Sequence, residues 1–245
     1  MSLLETLKLS LEMTDVLSRI ERNGLRINLD TLEEIEDQYR QEFLILEGEL
    51  KSMAQEATGD TPVSLTSPDD RSKLLYSRKV KDKHAWKRLF NLGMEQRGAT
   101  MKPKMRPFMT PNEFAGNVSV NTEVLYKTEA DRCAGCLGHG RVRLVNKDGT
   151  PSKAPRICKA CGGAGVIYKP TSEVAGFKLI PRNVRDVAAA GFRTDRETLE
   201  EMSSSLTGDA RLFAEKYIRY NALRTYLNTF VEGMKNNVDD HGFIH

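Results

Sequence analysis

Apolar residues near both ends of the chain recur with the spacing of amphipathic helices. Two sets share this spacing: Leu32, Ile35, Tyr39, Phe43, Leu46, Leu50 and Met53 in the first half, and Phe213, Tyr217, Tyr220, Leu223, Leu227, Phe230 and Met234 in the second. Steps of three and four residues place each set on one narrow helix face, which needs a partner helix to cover it. The pattern predicts a long antiparallel helix pair with the intervening chain inserted at its tip.

Polar residues mark where the early elements begin and end. Residues 1–22 have helical spacing that ends at Asn23-Gly24, and residues 25–28 alternate as in a short extended segment. Asn28 or Asp30 is expected to cap the first long helix, which should end before Thr58.

Two short helices are predicted near the tip of the pair. Ser67 is the expected N-cap of one, with Pro68 at its first position. The segment Thr194-Asp195-Arg196-Glu197 has the spacing of a capping box and begins the other. Between them, residues 91–130 are rich in Gly, Pro, Asn and Thr and are interpreted as loop.

Basic residues are concentrated in one stretch, although the 245-residue chain carries a net charge of only +3. From Arg71 to Arg106 there are twelve Lys or Arg and two acids, Asp82 and Glu95, so this stretch carries +10. Such a block either stays solvated and mobile or lies against a polyanion.

No apolar run approaches the roughly 20 residues that cross a bilayer. The N-terminal segment is interrupted by Glu5, Lys8, Glu12 and Asp15, unlike a signal peptide. We therefore expect a cytoplasmic protein with no membrane partner.

The four cysteines form two copies of one pattern, C-x-x-C-x-G-x-G. Cys133 and Cys136 belong to the first copy, and Cys158 and Cys161 to the second. Two residues between cysteines let one tight turn aim both thiolates at one ion, and two such knuckles complete a tetrahedral sulfur shell. The glycines allow close backbone turns whose amides point at the sulfurs. The spacing predicts a structural zinc ribbon, since four protein ligands leave no open position for chemistry.

Alternatives to this interpretation are weaker. Two redox C-x-x-C motifs would need a thioredoxin-like strand–helix context, which is missing. His139 can replace one thiolate, although a solvent-facing role suits it better. The cations around the ribbon leave two roles open, contact with DNA or a clip that stabilises the fold.

Three segments, in order, resemble the polymerase region of family A (DNA polymerase I-like) DNA polymerases. The stretch from Val16 to Asn28 is similar to the family's "vLaxmExxGixvd" helix and turn. Residues 63–68 resemble its "fNlxSxxQL" segment, and Tyr220 to His245 resemble its "yRxlxKlxsTYvdgl…GriH" stretch. Asp70-Arg71, Asn221 and Leu227 depart from the family's Gln-Leu, Arg and Lys.

The resemblance implies that the helix pair is the polymerase thumb, which packs across duplex primer-template DNA. Carried over by position, Ser64, Thr66 and Ser67 would meet phosphates, with Arg71 and Lys73 nearby. The basic stretch and the late helix would supply further cationic contacts, from Arg78, Lys79, Lys81, Lys83 and Arg224. A thumb holds DNA irrespective of sequence, so charge and hydroxyl groups suffice.

The carboxylates that hold the two catalytic metal ions of polymerases are not found in this sequence. The family places them in Asp-Tyr-Ser-like and His-Asp-Glu motifs, and neither occurs here. The resemblance therefore implies a chain that is inactive alone and needs a palm and fingers polypeptide, which would carry the Mg²⁺. A split viral polymerase, acting in the host cytoplasm, would fit this pattern.

The expected fold is mainly α: a long antiparallel helix pair, the thumb, with a small zinc ribbon inserted. Four parts are predicted: 1–76, N-terminal helices and first thumb half; 77–132, a basic loop-rich insertion; 133–165, the zinc ribbon; and 166–245, the second thumb half leading to the palm. One alternative is a standalone zinc-ribbon DNA-binding or regulatory protein. The doubled motif also resembles the cysteine-rich region of J-domain co-chaperones, but those have four copies, and this chain lacks their His-Pro-Asp tripeptide.

Overall fold

The computed structural model of the protein describes residues 12–14, 16, 24–97, 99–143, 152, 154–203, 206–239 and 242–244. This part of the chain contains seven α-helices and twelve short strands, and every strand pairs with one other in a two-stranded antiparallel ladder. The described part is therefore mainly α, as predicted. Of the first predicted helix, residues 12–14 and 16 are helical, and its other residues lie outside the described ranges.

The chain divides into two compact units. The first consists of Met1–Gly48 and Lys216–His245, and the second of Glu49–Glu215. The four predicted parts have different boundaries and remain a prediction.

In its described residues, the first unit contains one strand ladder and parts of two long helices. Strand β1 (Leu25–Arg26) pairs with β12 (Phe243–Ile244). Helix α1 (Leu29–Thr58) begins at its predicted cap, because the Thr31 amide donates to the Asn28 side-chain oxygen at 3.2 Å. Near the C-terminus, α6 (Gly208–Thr225) continues through a π-helical segment (Tyr226–Val231) into α7 (Glu232–Asn237).

Contacts in this unit show that α1 and the late helices are antiparallel. The rings of Phe43 and Tyr220 stack with centroids 4.7 Å apart, and Arg219 donates two hydrogen bonds of 2.6 Å to the Glu42 carboxylate. Nearer the start of α1, Glu36 accepts from Lys235. Residues nearer the start of α1 thus contact residues nearer the C-terminus, and the predicted antiparallel helix pair is confirmed.

The second unit contains short helices and ladders between its parts of α1 and α6. Its helices are α2 (Pro68–Tyr76), α3 (Lys83–Leu89), α4 (Pro111–Asn121) and α5 (Arg196–Ser203), with a 3-10 turn at Val184–Asp186. Its ladders pair β2 (Arg78–Val80) with β5 (Thr122–Val124), β3 (Met94–Arg97) with β4 (Thr100–Pro103), β6 (Tyr126–Arg132) with β9 (Val166–Val174), β7 (Arg141–Val142) with β8 (Arg156–Ile157), and β10 (Val187–Ala188) with β11 (Gly191–Phe192).

An aromatic cluster forms the core of this unit. The Trp86 ring packs edge-on against Phe90 and Phe192, with centroids 4.6 and 5.6 Å apart. Tyr76 lies 4.6 Å from Phe192 and donates its hydroxyl proton to the Arg193 carbonyl at 3.0 Å. Burial raises the pKa of Tyr76, so the hydroxyl stays a donor. Residues from α2, α3 and the β10–β11 ladder are thereby fixed to one another.

Two sequence-based interpretations need correction. Residues 91–130 are not loop, since α4, three strands and most of β6 lie within them, and α4 begins with a complete capping box between Thr110 and Glu113. The cap of α5 is Asp195, whose carboxylate accepts the Thr198 amide at 3.1 Å. Thr194 instead accepts a hydrogen bond from Arg71, so it is not the capping residue.

Candidate metal centre

The four cysteine sulfurs lie close together in the chain segment that links β6 to β9. Their Sγ atoms all lie within 4.8 Å of one another, with Cys133 and Cys158 at 3.9 Å and Cys136 and Cys161 at 3.6 Å. A disulfide would need about 2.05 Å. Thiolates bound at about 2.3 Å around one tetrahedral ion lie roughly 3.8 Å apart, so this arrangement fits a single metal ion. A metal site that joins both knuckles is as predicted.

Two equivalent half-sites build the centre, related by an offset of 25 residues. The Cys133 amide donates to the Gly165 carbonyl at 2.9 Å, and the Cys158 amide donates to the Gly140 carbonyl at 2.9 Å. Each knuckle follows one strand and precedes another, with Arg132 paired to Val166 and Ile157 paired to Arg141. Reciprocal backbone hydrogen bonds therefore hold the two knuckles together.

Glycines are required where the knuckles touch. Gly140 has a φ of 69°, and a Cβ added there would lie 2.2 Å from the Gly163 carbonyl oxygen. Gly165 has a φ of 79°, and a Cβ added there would lie 2.5 Å from the Gly138 carbonyl oxygen. Only a residue without a side chain adopts this conformation without strain and allows so close an approach.

Backbone amides point at the sulfurs, as the spacing predicted. The Gly140 amide donates to Cys136 Sγ at 3.2 Å, and the Gly165 amide donates to Cys161 Sγ at 3.3 Å. Burial raises the pKa of the Cys161 thiol, but the amides of Gly165 and Gly163 outweigh it and bring the pKa to about 7. For Cys136, burial and the neighbouring thiols raise the pKa to about 11, against the Gly140 amide. The amides of Gly140, Gly163 and Gly165 thus favour the thiolate form that a metal ligand must adopt.

The first knuckle is braced by an arginine and a small apolar contact. Arg132 donates through Nε and Nη2 to the Leu137 carbonyl, at 2.9 and 2.6 Å. The partly buried Val142 packs against the buried cysteines. Arg132 is therefore part of the support of the centre rather than a free surface charge.

The hydroxyl residues expected to meet phosphates lie at the start of α2. Ser67 caps this helix as predicted, accepting the Asp70 amide at 3.3 Å. The hydroxyls of Ser64 and Thr66 are 3.0 Å apart and exposed, and the Ser64 amide donates to the Asp70 carboxylate. A carboxylate therefore already occupies one backbone donor that a phosphate would use.

Arg71 and Lys73 both have partners within the fold. Arg71 donates from Nη1 to the carbonyls of Leu65 and Thr66 at 3.0 and 2.9 Å, which braces the turn before α2. Lys73 lies 2.6 Å from Asp69 and 3.3 Å from Asp70. Burial lowers the pKa of Lys73, and the two carboxylates outweigh burial, so the pKa lies above its ordinary value.

Four candidates of the basic stretch also have partners. Lys83 pairs with Asp69 at 2.9 Å, and Lys79 with Glu123 at 3.3 Å. Arg78 donates to the Thr122 hydroxyl at 3.1 Å, and Lys81 to the Val120 carbonyl at 2.8 Å. The stretch is thus a folded, partly neutralised surface rather than a mobile loop, and DNA contact by its residues remains a prediction.

The last candidate, Arg224, is half-buried in the first unit. With Asn221, Thr225, Asn228 and Thr229 it lines a cleft of about 300 Å³ that contains no acidic side chain.

Among the described residues, no helix is long and apolar enough to span a membrane.

Comparison with protein-family models, with curated proteins and with solved structures found no match to this chain. The functional argument therefore rests on the residues and their geometry.

Proposed function

We propose that this chain is the duplex-gripping thumb portion of a family A DNA polymerase, acting in DNA replication with a separate palm and fingers polypeptide. The observation that carries the proposal is the ordered resemblance of three segments to that family. The two stretches that match best lie at the ends of the chain.

The pairing of these ends supports the proposal. Leu25 and Arg26 come from the first family-like segment, and Phe243 and Ile244 from the last, and they form the β1–β12 ladder. The ladder places the first and the last family-like segment in one structural unit, which is compatible with the assignment. The antiparallel packing of α1 on the late helices agrees with the same assignment.

The chain would bind DNA but would not make it. Nucleotidyl transfer uses Mg²⁺ ions held by carboxylates, and these would belong to the palm of the partner. The cysteine centre would hold a structural Zn²⁺, because four thiolates in a closed tetrahedral shell suit this ion and leave no position for substrate.

The test uses the purified full chain and a fluorescein-labelled 20-base-pair duplex. Anisotropy titrations should show binding that weakens with salt, with a logarithmic slope of about −5 if six phosphates are contacted. Primer extension by the chain alone should be absent and should appear when a polypeptide with the palm motifs is added. Extension by the chain alone, or no duplex binding at 50 mM salt, would refute the proposal.

The same assay tests a second candidate function, that of a standalone zinc-ribbon DNA-binding or regulatory protein. The assembled cysteine centre favours this candidate. Such a protein would bind the duplex, but the palm-bearing polypeptide would neither co-purify with it nor gain activity from it. Binding to both DNA and that polypeptide would support the polymerase assignment instead.

A further inference from the structure

A groove of about 410 Å³, the α4 groove, lies in the second unit between α4, the β2–β5 ladder and the chain that follows β9. Its apolar lining includes the rings of Tyr76 and Phe114 and the side chains of Val118, Val124 and Leu179. Sites of this size with a mainly hydrophobic and aromatic lining are typical of ligand binding. The lining contains no residue of the cysteine centre or of the helix pair.

One side of the α4 groove is open to solvent. Ala115 and Ser119 of α4 are exposed, and Ile180, which also belongs to the lining, is 80% exposed. A small molecule in a typical pocket has roughly 70–90% of its surface buried, which an open groove does not provide. An apolar side chain of a peptide suits the groove better, because only the side that faces the protein needs to be covered.

The charged part of the lining is positive. Arg78 and Lys178 both line the groove, and the described residues that line it include no Asp or Glu. Arg78 donates from Nη1 to the Thr122 hydroxyl at 3.1 Å, which leaves its other donors for a carboxylate. Lys178 forms no ion pair within the described chain, and Glu173, which is near enough to be influenced by Lys178, pairs with Lys127 at 2.9 Å. Apolar walls with two cations complement an occupant that combines apolar and acidic groups.

The backbone at Lys178 is held in an unusual conformation. Its φ is 58°, and its amide donates to the hydroxyl of Ser77, which has a φ of 57°. Residues other than glycine rarely adopt this left-handed conformation and keep it only where the surrounding contacts hold them. The next amide, that of Leu179, donates to the Leu75 carbonyl at 2.9 Å. This wall of the groove is therefore formed before a ligand binds, which lowers the cost of binding.

We propose that the α4 groove binds an acidic peptide segment of a partner protein. A large apolar side chain of the peptide fills the groove, and a flanking carboxylate meets Arg78 and Lys178. The apolar walls offer nothing to a phosphate backbone, so nucleic acid is a poorer occupant. No DNA contact enters this inference, which therefore stands or falls independently of the proposed function.

The first experiment measures fluorescence anisotropy of a labelled six-residue peptide, with Phe-Leu at its centre and two glutamates on each side, added to the purified full chain. The peptide should bind saturably. A peptide with serines in place of Phe-Leu, and one with lysines in place of the glutamates, should each bind at least about tenfold more weakly.

The second experiment blocks the groove. Ala115→Trp should weaken binding of the acidic peptide about tenfold, because the indole would occupy the space of the apolar side chain. Val120→Trp is the matched control, since Val120 is 70% exposed on the same helix and does not line the groove. It should change the affinity by less than about twofold.

The third experiment tests the charge at Lys178, because Arg78 is also a predicted DNA contact. Lys178→Gln should weaken binding about two- to fivefold at low salt and less at 500 mM salt. The control is Lys169→Gln, which removes a lysine that pairs with Asp131 outside the groove. Its affinity should equal that of the wild type.

No saturation up to about 1 mM of the acidic peptide, or equal affinity for all three peptides, would overturn the inference. Equal effects of Ala115→Trp and Val120→Trp would also contradict it. Decanoate that binds more tightly than the peptide, and loses affinity in Ala115→Trp, would assign the groove to a small carboxylate and not to a peptide. Self-association of the wild type that Ala115→Trp abolishes would assign it to a second copy of this chain.

Discussion

At the scale of single residues, the contact between the two knuckles depends on glycine. Gly140→Ala should weaken metal binding and lower the melting temperature, because the new Cβ would lie 2.2 Å from the Gly163 oxygen and force the backbone apart. Competition with a chromophoric chelator measures the metal affinity. Gly162→Ala is the matched control, since Gly162 has a φ of 61° with no atom within 4 Å of its added Cβ. It should cost about 1–2 kcal/mol from backbone strain. An equally small effect at Gly140 would contradict the close approach.

Asp69 should make stability depend on acid pH. Burial raises its pKa, but Lys73 and Lys83 outweigh burial, so the pKa lies below the ordinary value of 3.8. A lowered pKa means that this contribution is present above the ordinary value and is lost as the pH falls through the folded-state value. Asp69→Asn should therefore reduce the free energy of unfolding by about 0.5–1 kcal/mol at pH 7 and by less at pH 3.

Urea titrations at the two pH values measure this difference. Glu123→Gln is the control, since its pair with Lys79 is about half exposed and should contribute little. An equal loss at pH 7 and pH 3 for Asp69→Asn would contradict the pairing. Asp69→Asn also removes the carboxylate that pairs with Lys83 and one of the two that pair with Lys73, so tighter duplex binding would support the predicted role of these lysines.

Local signals predicted several residue roles correctly. Asn28 and Ser67 were identifiable as caps because a cap bonds to amides only two or three residues away. Thr194 and Asp195 are both possible N-caps of α5. The sequence does not distinguish them, because Thr194 bonds to Arg71, which is 123 residues away in the chain. Asp69 was missed as a partner of Lys83 because the pair joins two different helices.

At the scale of elements, the helix pair depends on aromatic contacts as well as ion pairs. Phe43→Ala and Tyr220→Ala should each destabilise the protein, and the double variant should lose less than the sum. The coupling free energy should be about 0.5–1.5 kcal/mol, because the two rings stack at 4.7 Å. Urea unfolding of the four proteins gives this value.

Leu44 provides the control for this cycle, since it follows Phe43 in α1 and is 58% exposed. Leu44→Ala combined with Tyr220→Ala should be additive within about 0.5 kcal/mol. Coupling of equal size in both cycles would argue against a specific ring contact.

Periodicity predicted the long helices but not α4. Only Phe114 and Val118 of this helix are buried, which is too few to stand out in a sequence pattern. Its capping box, Thr110 to Glu113 with a proline at the first helical position, was present in the sequence and could have indicated it. The ladders β1–β12 and β2–β5 join distant segments, which spacing along the chain cannot pair.

At the scale of the whole molecule, the metal should order one part of the chain without determining the rest. The purified protein should contain one zinc ion per chain, and a chelator at pH 7 should remove this ion. The thermal transition should then broaden or split, while the helical circular dichroism signal at 222 nm is largely kept, because the helices pack through their own side chains.

Cys158→Ser should reproduce the chelated state and should not respond to added zinc. Ser152→Ala, outside the cysteine cluster, is the control and should behave like the wild type. Complete loss of the helical signal on chelation would show that the fold as a whole depends on the metal.

The ladder that carries the cysteine centre has a consequence for how the chain can be altered. Arg132 and Val166 are partners across β6 and β9, so the polypeptide leaves the ladder and returns to it at adjacent positions. The 33 residues between them could be excised and the two strands joined by a tight turn without moving either end. The element is thus a detachable cassette, and a shortened chain of this kind would show what the remaining scaffold does on its own.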